Sequence, residues 1–134
     1  MQEALAIRLR VFVEEQGVPL ELEIDEHDRD DPVALHALVR ESGAAIATGR
    51  YYALGGGAVQ IGRMAVERPW RGRGVGARLL ALLLAEAVRH GFDEAQLDAQ
   101  THAAQFYRLA GFSDFGAEHL DAGILHQPMR KRLF

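Results

Sequence analysis

The sequence predicts an α/β or α+β domain built on one mixed β-sheet, and three observations carry that expectation. Apolar residues recur at helical spacing in 3–15 and 75–90, while 34–41, 45–54, 58–66 and 94–99 read as strands. Glycine, proline and short polar clusters separate these stretches. The order is helix, three strands, helix, strand, helix, strands, which suits a single sheet with helices packed on it. At 134 residues the chain is expected to form one domain spanning 1–134.

Each element has its own justification. In 3–15, Leu5, Leu9, Phe12 and Val13 form the apolar stripe of an amphipathic helix. Residues 21–31 hold seven carboxylates against one arginine, the composition of an exposed loop. "ESGA" is the hairpin turn joining the first two strands, and Pro69 follows the third. The helix over 75–90 closes at Gly91, a C′-like position. A strand over 94–99 leads to a short helix over 103–109, stopped by Gly111. The tail supplies one or two further strands around a turn at 121–123.

Composition narrows the function. The chain is 49% apolar and 25% charged with a net charge of −4, which argues against a general nucleic-acid binder. Basic charge is almost all arginine; Lys131 is the only lysine. With no cysteine there is no disulfide, thiolate metal site or cysteine nucleophile. The run 79–85 is too short to span a bilayer, and no signal peptide is expected in a start that carries Glu3, Arg8 and Arg10. A cytoplasmic protein without a membrane partner is the expectation. The six histidines lack H-x-x-x-H or H-E-x-x-H spacing, so no metal site is expected. The acidic run lacks the glycine and closing glutamate of a calcium loop. It reads as a solvated loop first, and as an attractor for a cationic amine second.

The most informative stretch is "ERPWRGRGVGARLLALLLAEA" (67–87). Glycines at a helix start let unpaired backbone N–H groups converge on an anion without Cβ obstruction. Arg71 and Arg73 add forked, charged donors. The alternative is a glycine-rich cap with solvated arginines. A Walker loop is excluded because no lysine precedes a serine or threonine. A dinucleotide fingerprint fails on spacing, although Asp98 mimics its acidic residue.

What fits is R-x-x-G-x-G (Arg71, Gly74, Gly76), after a strand and opening a helix. This resembles the coenzyme A pyrophosphate loop of the GNAT N-acetyltransferases. A second motif stands in the expected order downstream: Gln100, Ala103, Phe106, Tyr107, Gly111 and Phe112 in "QTHAAQFYRLAGF". With "RLRVFVEEQGVP", "IGRMAVERPWRGRGVG" and "DAGILHQPM", most of the chain looks like the ElaA-like branch of that superfamily. Two departures stand out. Family members usually begin with a strand, but Met1 here lies almost at the first helix, so that strand is either absent or lost to truncation; Ala122 and Leu125 replace residues of the usual E-D-G-I-P-H loop.

The resemblance implies a GNAT-like fold with a central, mostly antiparallel sheet, and acetyl-CoA as cosubstrate. It places backbone groups of Met64, Ala65 and Val66 along the pantetheine arm. Arg71, Gly72, Arg73, Gly74, Val75, Gly76 and Ala77 would take the pyrophosphate, with Gln100 and Phe106 beside the cofactor. Tyr107 matches the family's general acid, and its ordinary pKa near 10 keeps it protonated at neutral pH. Its alternative is a tyrosine that merely packs helix against sheet. Glu15, His119 and His126 are base candidates, each also readable as structural, and a water chain would serve instead. "RYYAL" reads as strand, with one tyrosine facing an acceptor cleft as the alternative.

Ser42 and Ser113, the only serines, lie in no nucleophile turn, so a covalent acyl-enzyme has little support. Direct attack of a small-molecule or peptide amine on the thioester is the expected reaction. The rival is a non-catalytic acyl-CoA-binding or sensor module of the same fold. A sheet edge left by a missing strand invites pairing into a homodimer.

Overall fold

The computed structural model describes residues 2–8 and 34–134. Among these, helix α1 spans Gln2–Arg8, and strands β1 (Ala34–Glu41), β2 (Ala44–Gly55) and β3 (Ala58–Val66) follow as a meander. A 3₁₀ turn at Arg68–Trp70 leads into helix α2, Val75–Arg89, then strand β4, Glu94–Gln100. A second 3₁₀ turn, Thr101–Ala103, precedes helix α3, Ala104–Leu109. Strands β5 (Ser113–Asp114), β6 (His119–Asp121) and β7 (Ile124–Arg132) complete one sheet in the order β1-β2-β3-β4-β7-β5, with β6 also paired to β7. Every pairing is antiparallel except β3 with β4. The expected sheet and element order are both present.

Helix α2 covers one face of the sheet. Leu79, Leu80, Leu83 and Ala87 recur at helical spacing and are buried. They meet β2 where Gly49 removes the side chain. A Cβ there would stand 3.0 Å from Leu83 Cδ1 and 3.1 Å from Met64 Cγ. Tyr51, two residues on and facing the same side, packs edge-on against Phe92 and shares a 3.1 Å hydrogen bond with His90 Nδ1. The C-terminus of α2 is capped by Gly91 at φ 88°, with Phe92 N–H donating to the Ala87 carbonyl.

Helix α1 packs on the other face, with Ile7 against Ala65, Leu38 and Ala45. Its buried residues are Ala4, Ile7 and Arg8, whereas Leu5 is only half-buried. Within the described part of this helix, Ile7 rather than Leu5 is the residue seated on the sheet. Leu9, Phe12 and Val13, the acidic run 21–31 and Glu15 lie outside the described residues.

Candidate active site

Strands β3 and β4 begin as neighbours and then part. Their ladder pairs Ala58 with Glu94, Val59 with Ala95, Gln60 with Gln96 and Ile61 with Leu97, and it stops there. The cause lies across β3. On β2, Thr48 pairs with Ala65 and Arg50 with Gly62, so β3 carries one extra residue over that interval. This bulge puts Arg63 at φ 52°, a left-handed backbone that a non-glycine residue rarely adopts. Bending at the bulge turns the end of β3 away from β4. The gap is a cleft of about 710 Å³ walled by residues 60–66 on one side and 97–100 on the other.

The start of α2 closes one end of this cleft. Gly74 is the N-cap at φ 76°, and the first helical bond runs from Arg78 N–H to the Gly74 carbonyl at 3.1 Å. By helix geometry the N–H groups of Val75, Gly76 and Ala77 precede that first bond and point out of the helix end. Gly76 lines the cleft, and a Cβ there would sit 3.6 Å from Phe106 Cζ and 3.9 Å from Val66 Cγ2. Arg71 Nε donates to the Val66 carbonyl at 2.9 Å, tying the loop to the end of β3 at the cleft wall. Arg73 stacks over Trp70, 5.3 Å from its ring centre, and is not part of the cleft lining.

Helix α3 supplies the opposite lip with Phe106 and Tyr107. Tyr107 packs edge-on against Phe106 and Phe112, and its hydroxyl donates to Met64 Sδ at 3.7 Å across the cleft. Burial among these groups pushes its pKa up to about 12, so the phenol keeps its proton well above neutral pH.

An acetyltransferase (GNAT) domain model matches residues 19–133. The chain belongs to the GNAT acetyltransferase family. It is 34% identical to the uncharacterised N-acetyltransferase YjcF of Bacillus subtilis, covering 98% of this chain and 91% of that one. Its structure is similar to an acyl-CoA N-acyltransferase of Pseudomonas aeruginosa (TM-score 0.87, 31% identity, 97% and 88% covered). It is also similar to Escherichia coli ElaA (TM-score 0.86, 29% identity, 97% and 88% covered). The likeness to ElaA agrees with the ElaA-like branch.

Of the GNAT residues expected from sequence, Met64, Ala65, Val66, Arg71, Gly76, Gln100, Phe106, Tyr107 and His126 line one cleft. Gly72, Arg73, Gly74, Val75 and Ala77 form the adjoining loop and helix start. The three base candidates separate. Glu15 lies outside the described residues. His119 is exposed and not part of the lining, although its ring stacks on that of His126 at 6.1 Å. His126 faces Gln100 in the β4–β7 register and lines the cleft. Its Nδ1 lies 2.7 Å from the Ile124 carbonyl, which can only accept. The proton therefore sits on Nδ1, and Nε2 is the basic nitrogen of the neutral ring.

Sequence reasoning assigned no site role to Arg50, Gln60, Arg63, Asp98 or Asp121, and held a cleft-facing tyrosine of "RYYAL" as an alternative. Arg50 and Tyr52 come from β2, Gln60 and Arg63 from β3, Asp98 from β4 and Asp121 from the β6–β7 hairpin. Tyr52 is the cleft-facing member of the "RYYAL" pair, and Tyr51 belongs to the core. Strand alternation would have set Arg50 and Tyr52 on one face. Which face becomes a cleft depends on the parting of β3 from β4, and no local signal marks that. Among the described residues no helix is long and apolar enough to cross a membrane, and no cluster of metal-ligating side chains occurs.

Proposed function

We propose that the protein transfers an acetyl group from acetyl-CoA to a primary amine by direct attack within a ternary complex. The observation that carries this reading is the parted pair β3–β4, closed by the N–H groups at the start of α2 on one side and Tyr107 on the other. The edge of β3 that turns away from β4 offers backbone groups of Met64, Ala65 and Val66 to the pantetheine amides, as a neighbouring strand would. The helix start at Gly74 and Gly76, with Arg71 beside it, takes the pyrophosphate. Gln100 and Phe106 flank the arm.

The chemistry then needs few groups. The amine nitrogen attacks the thioester carbonyl carbon, a C–N bond forms, and the C–S bond breaks. A β3 backbone N–H polarises the carbonyl oxygen. Tyr107, kept protonated by its burial, delivers its proton to the departing thiolate sulfur. His126 Nε2, directly or through water, receives the proton lost by the amine.

The test is amine-dependent release of free thiol from acetyl-CoA across a panel of primary amines. Release above the hydrolytic background with matching N-acetylated product is the expected result. Tight CoA binding without release by any amine would favour a binding or sensor module instead.

A further inference from the structure

Tyr107 stands on α3, a helix of six residues, well short of the roughly 12 that an isolated helix needs. Its apolar anchorage is thin. Ala104 is the one buried residue of the element, and Leu109 is 80% exposed. A displacement of about 1 Å at a reacting group can cost on the order of a hundredfold in rate. The hold on this short helix therefore bears on the reaction.

A tie stands at its C-terminal end. Ala110 caps α3, and the N–H groups of Ala110 and Phe112 both donate to the Tyr107 carbonyl at 3.0 Å. The Ala110 carbonyl in turn accepts from Lys131 Nζ at 2.7 Å. Lys131 lies on β7 in register with Ala95 of β4, so it reaches the helix from the sheet. It is the only lysine among 15 lysines and arginines. Strand alternation sets it on the same face as Met129, which is fully buried, a costly side for an unpaired charge. An ammonium on a last-turn carbonyl is favourable twice, as a charge-assisted hydrogen bond and at the negative end of the helix dipole. Gly111 leaves room for it, since a Cβ there would stand 3.1 Å from Nζ and 3.2 Å from Cε. The other tie is weaker. Arg108 donates to Asp114 of β5 at 2.9 and 2.8 Å, but the two side chains are 44% and 41% exposed, where an ion pair contributes little.

We propose that Lys131 is a positioning residue for the acid: through the Ala110 carbonyl its ammonium fixes the last turn of α3, and with it the Tyr107 phenol at the cleft. This rests on the acyl-transfer reading above.

The test is Lys131→Met, which keeps an unbranched stem and removes the charge and the donor. NMR of protein carrying isotope-labelled tyrosine follows the phenol without turnover. The edge-on rings of Phe106 and Phe112, at 5.0 and 6.0 Å, make the Tyr107 signal sensitive to small displacements. That signal, identified by its loss in Tyr107→Phe, should shift in Lys131→Met while those of Tyr51 and Tyr52 stay in place. The kcat should fall at least about tenfold with the KM for acetyl-CoA nearly unchanged. Introduced into Tyr107→Phe, the same substitution should change kcat by less than about twofold, because the group it positions is gone. Asp114→Asn should keep kcat within about twofold of the parent. Lys131→Gln, also neutral, repeats the measurements if the methionine variant does not fold. A Tyr107 signal that does not move, an equal loss of kcat in both backgrounds, or a loss matched by Asp114→Asn would each overturn the proposal. A shifted signal with kcat unaltered, in Lys131→Met and in Tyr107→Phe alike, leaves the tie standing and contradicts the acid role of Tyr107 instead.

Discussion

Along residues 58–61 and 94–97 the two central strands are hydrogen-bonded neighbours; along 62–66 and 98–100 they are the walls of a cleft. In the paired half, Val59, Ile61, Ala95 and Leu97 are buried and share one core with the apolar face of α2. In the parted half, Arg63, Met64, Asp98 and Gln100 of the same two strands line the cleft. One extra residue opposite Thr48 and Arg50 separates these outcomes. The contrast teaches that a parallel pair need not stay paired along its length. Burial holds its first half together, and its second half leaves the ladder, where the proposed function would use its backbone groups.

The sharpest way to break this contrast is to injure one half and watch the other. Tyr107→Phe removes a hydroxyl whose described hydrogen bond is a long contact to sulfur, so the fold should survive. Turnover should fall roughly 10²- to 10⁴-fold, the usual worth of a positioned general acid, with CoA affinity nearly unchanged. Unaltered kcat would remove the acid role. The same residue predicts a pH profile. With its pKa raised to about 12, kcat/KM should show no loss of the acid through about pH 10, and an alkaline limb near the ordinary tyrosine value would contradict its burial.

A smaller effect is expected in the paired half. Val59 is fully buried opposite Ala95, and Val59→Ala should cost about 2 kcal/mol in a urea melt, from lost burial plus the cavity left behind. The kcat of the folded fraction should stay near the parent value. A large loss of kcat without a loss of stability would show that the two halves are not separable.

Much of this was readable from the chain, for reasons that are local. The apolar period of "VGARLLALLLAEAVR" and the glycine that follows mark α2 to within one residue. Alternation and turn residues locate the meander β1–β3, and Gly111 ends α3. The glycine–arginine loop and "QFYRLAGF" identify the family because spacing along the chain is what they carry. The bulge at Arg63 is different. It exists only as a mismatch between β2 and β3, so nothing in "IGRMAV" announces it. Arg50 and Arg63 were missed as cleft residues for the same cause, since only the register sets them on one wall. Within the described part of α1, Ile7 rather than Leu5 is seated on Ala65 and Leu38, a choice set by tertiary contact.

The central claim is that the backbone at the start of α2 holds the diphosphate of coenzyme A, and Gly76→Glu tests it most directly. A side chain fits there, since a Cβ would find only ordinary contacts with Phe106 and Val66, and a carboxylate at a helix start favours the helix. The variant should melt at or above the parent temperature. Its new charge stands in front of the N–H groups and should weaken CoA binding by on the order of a hundredfold, measured by calorimetry. A folded Gly76→Glu protein that binds coenzyme A as tightly as the parent would contradict the account.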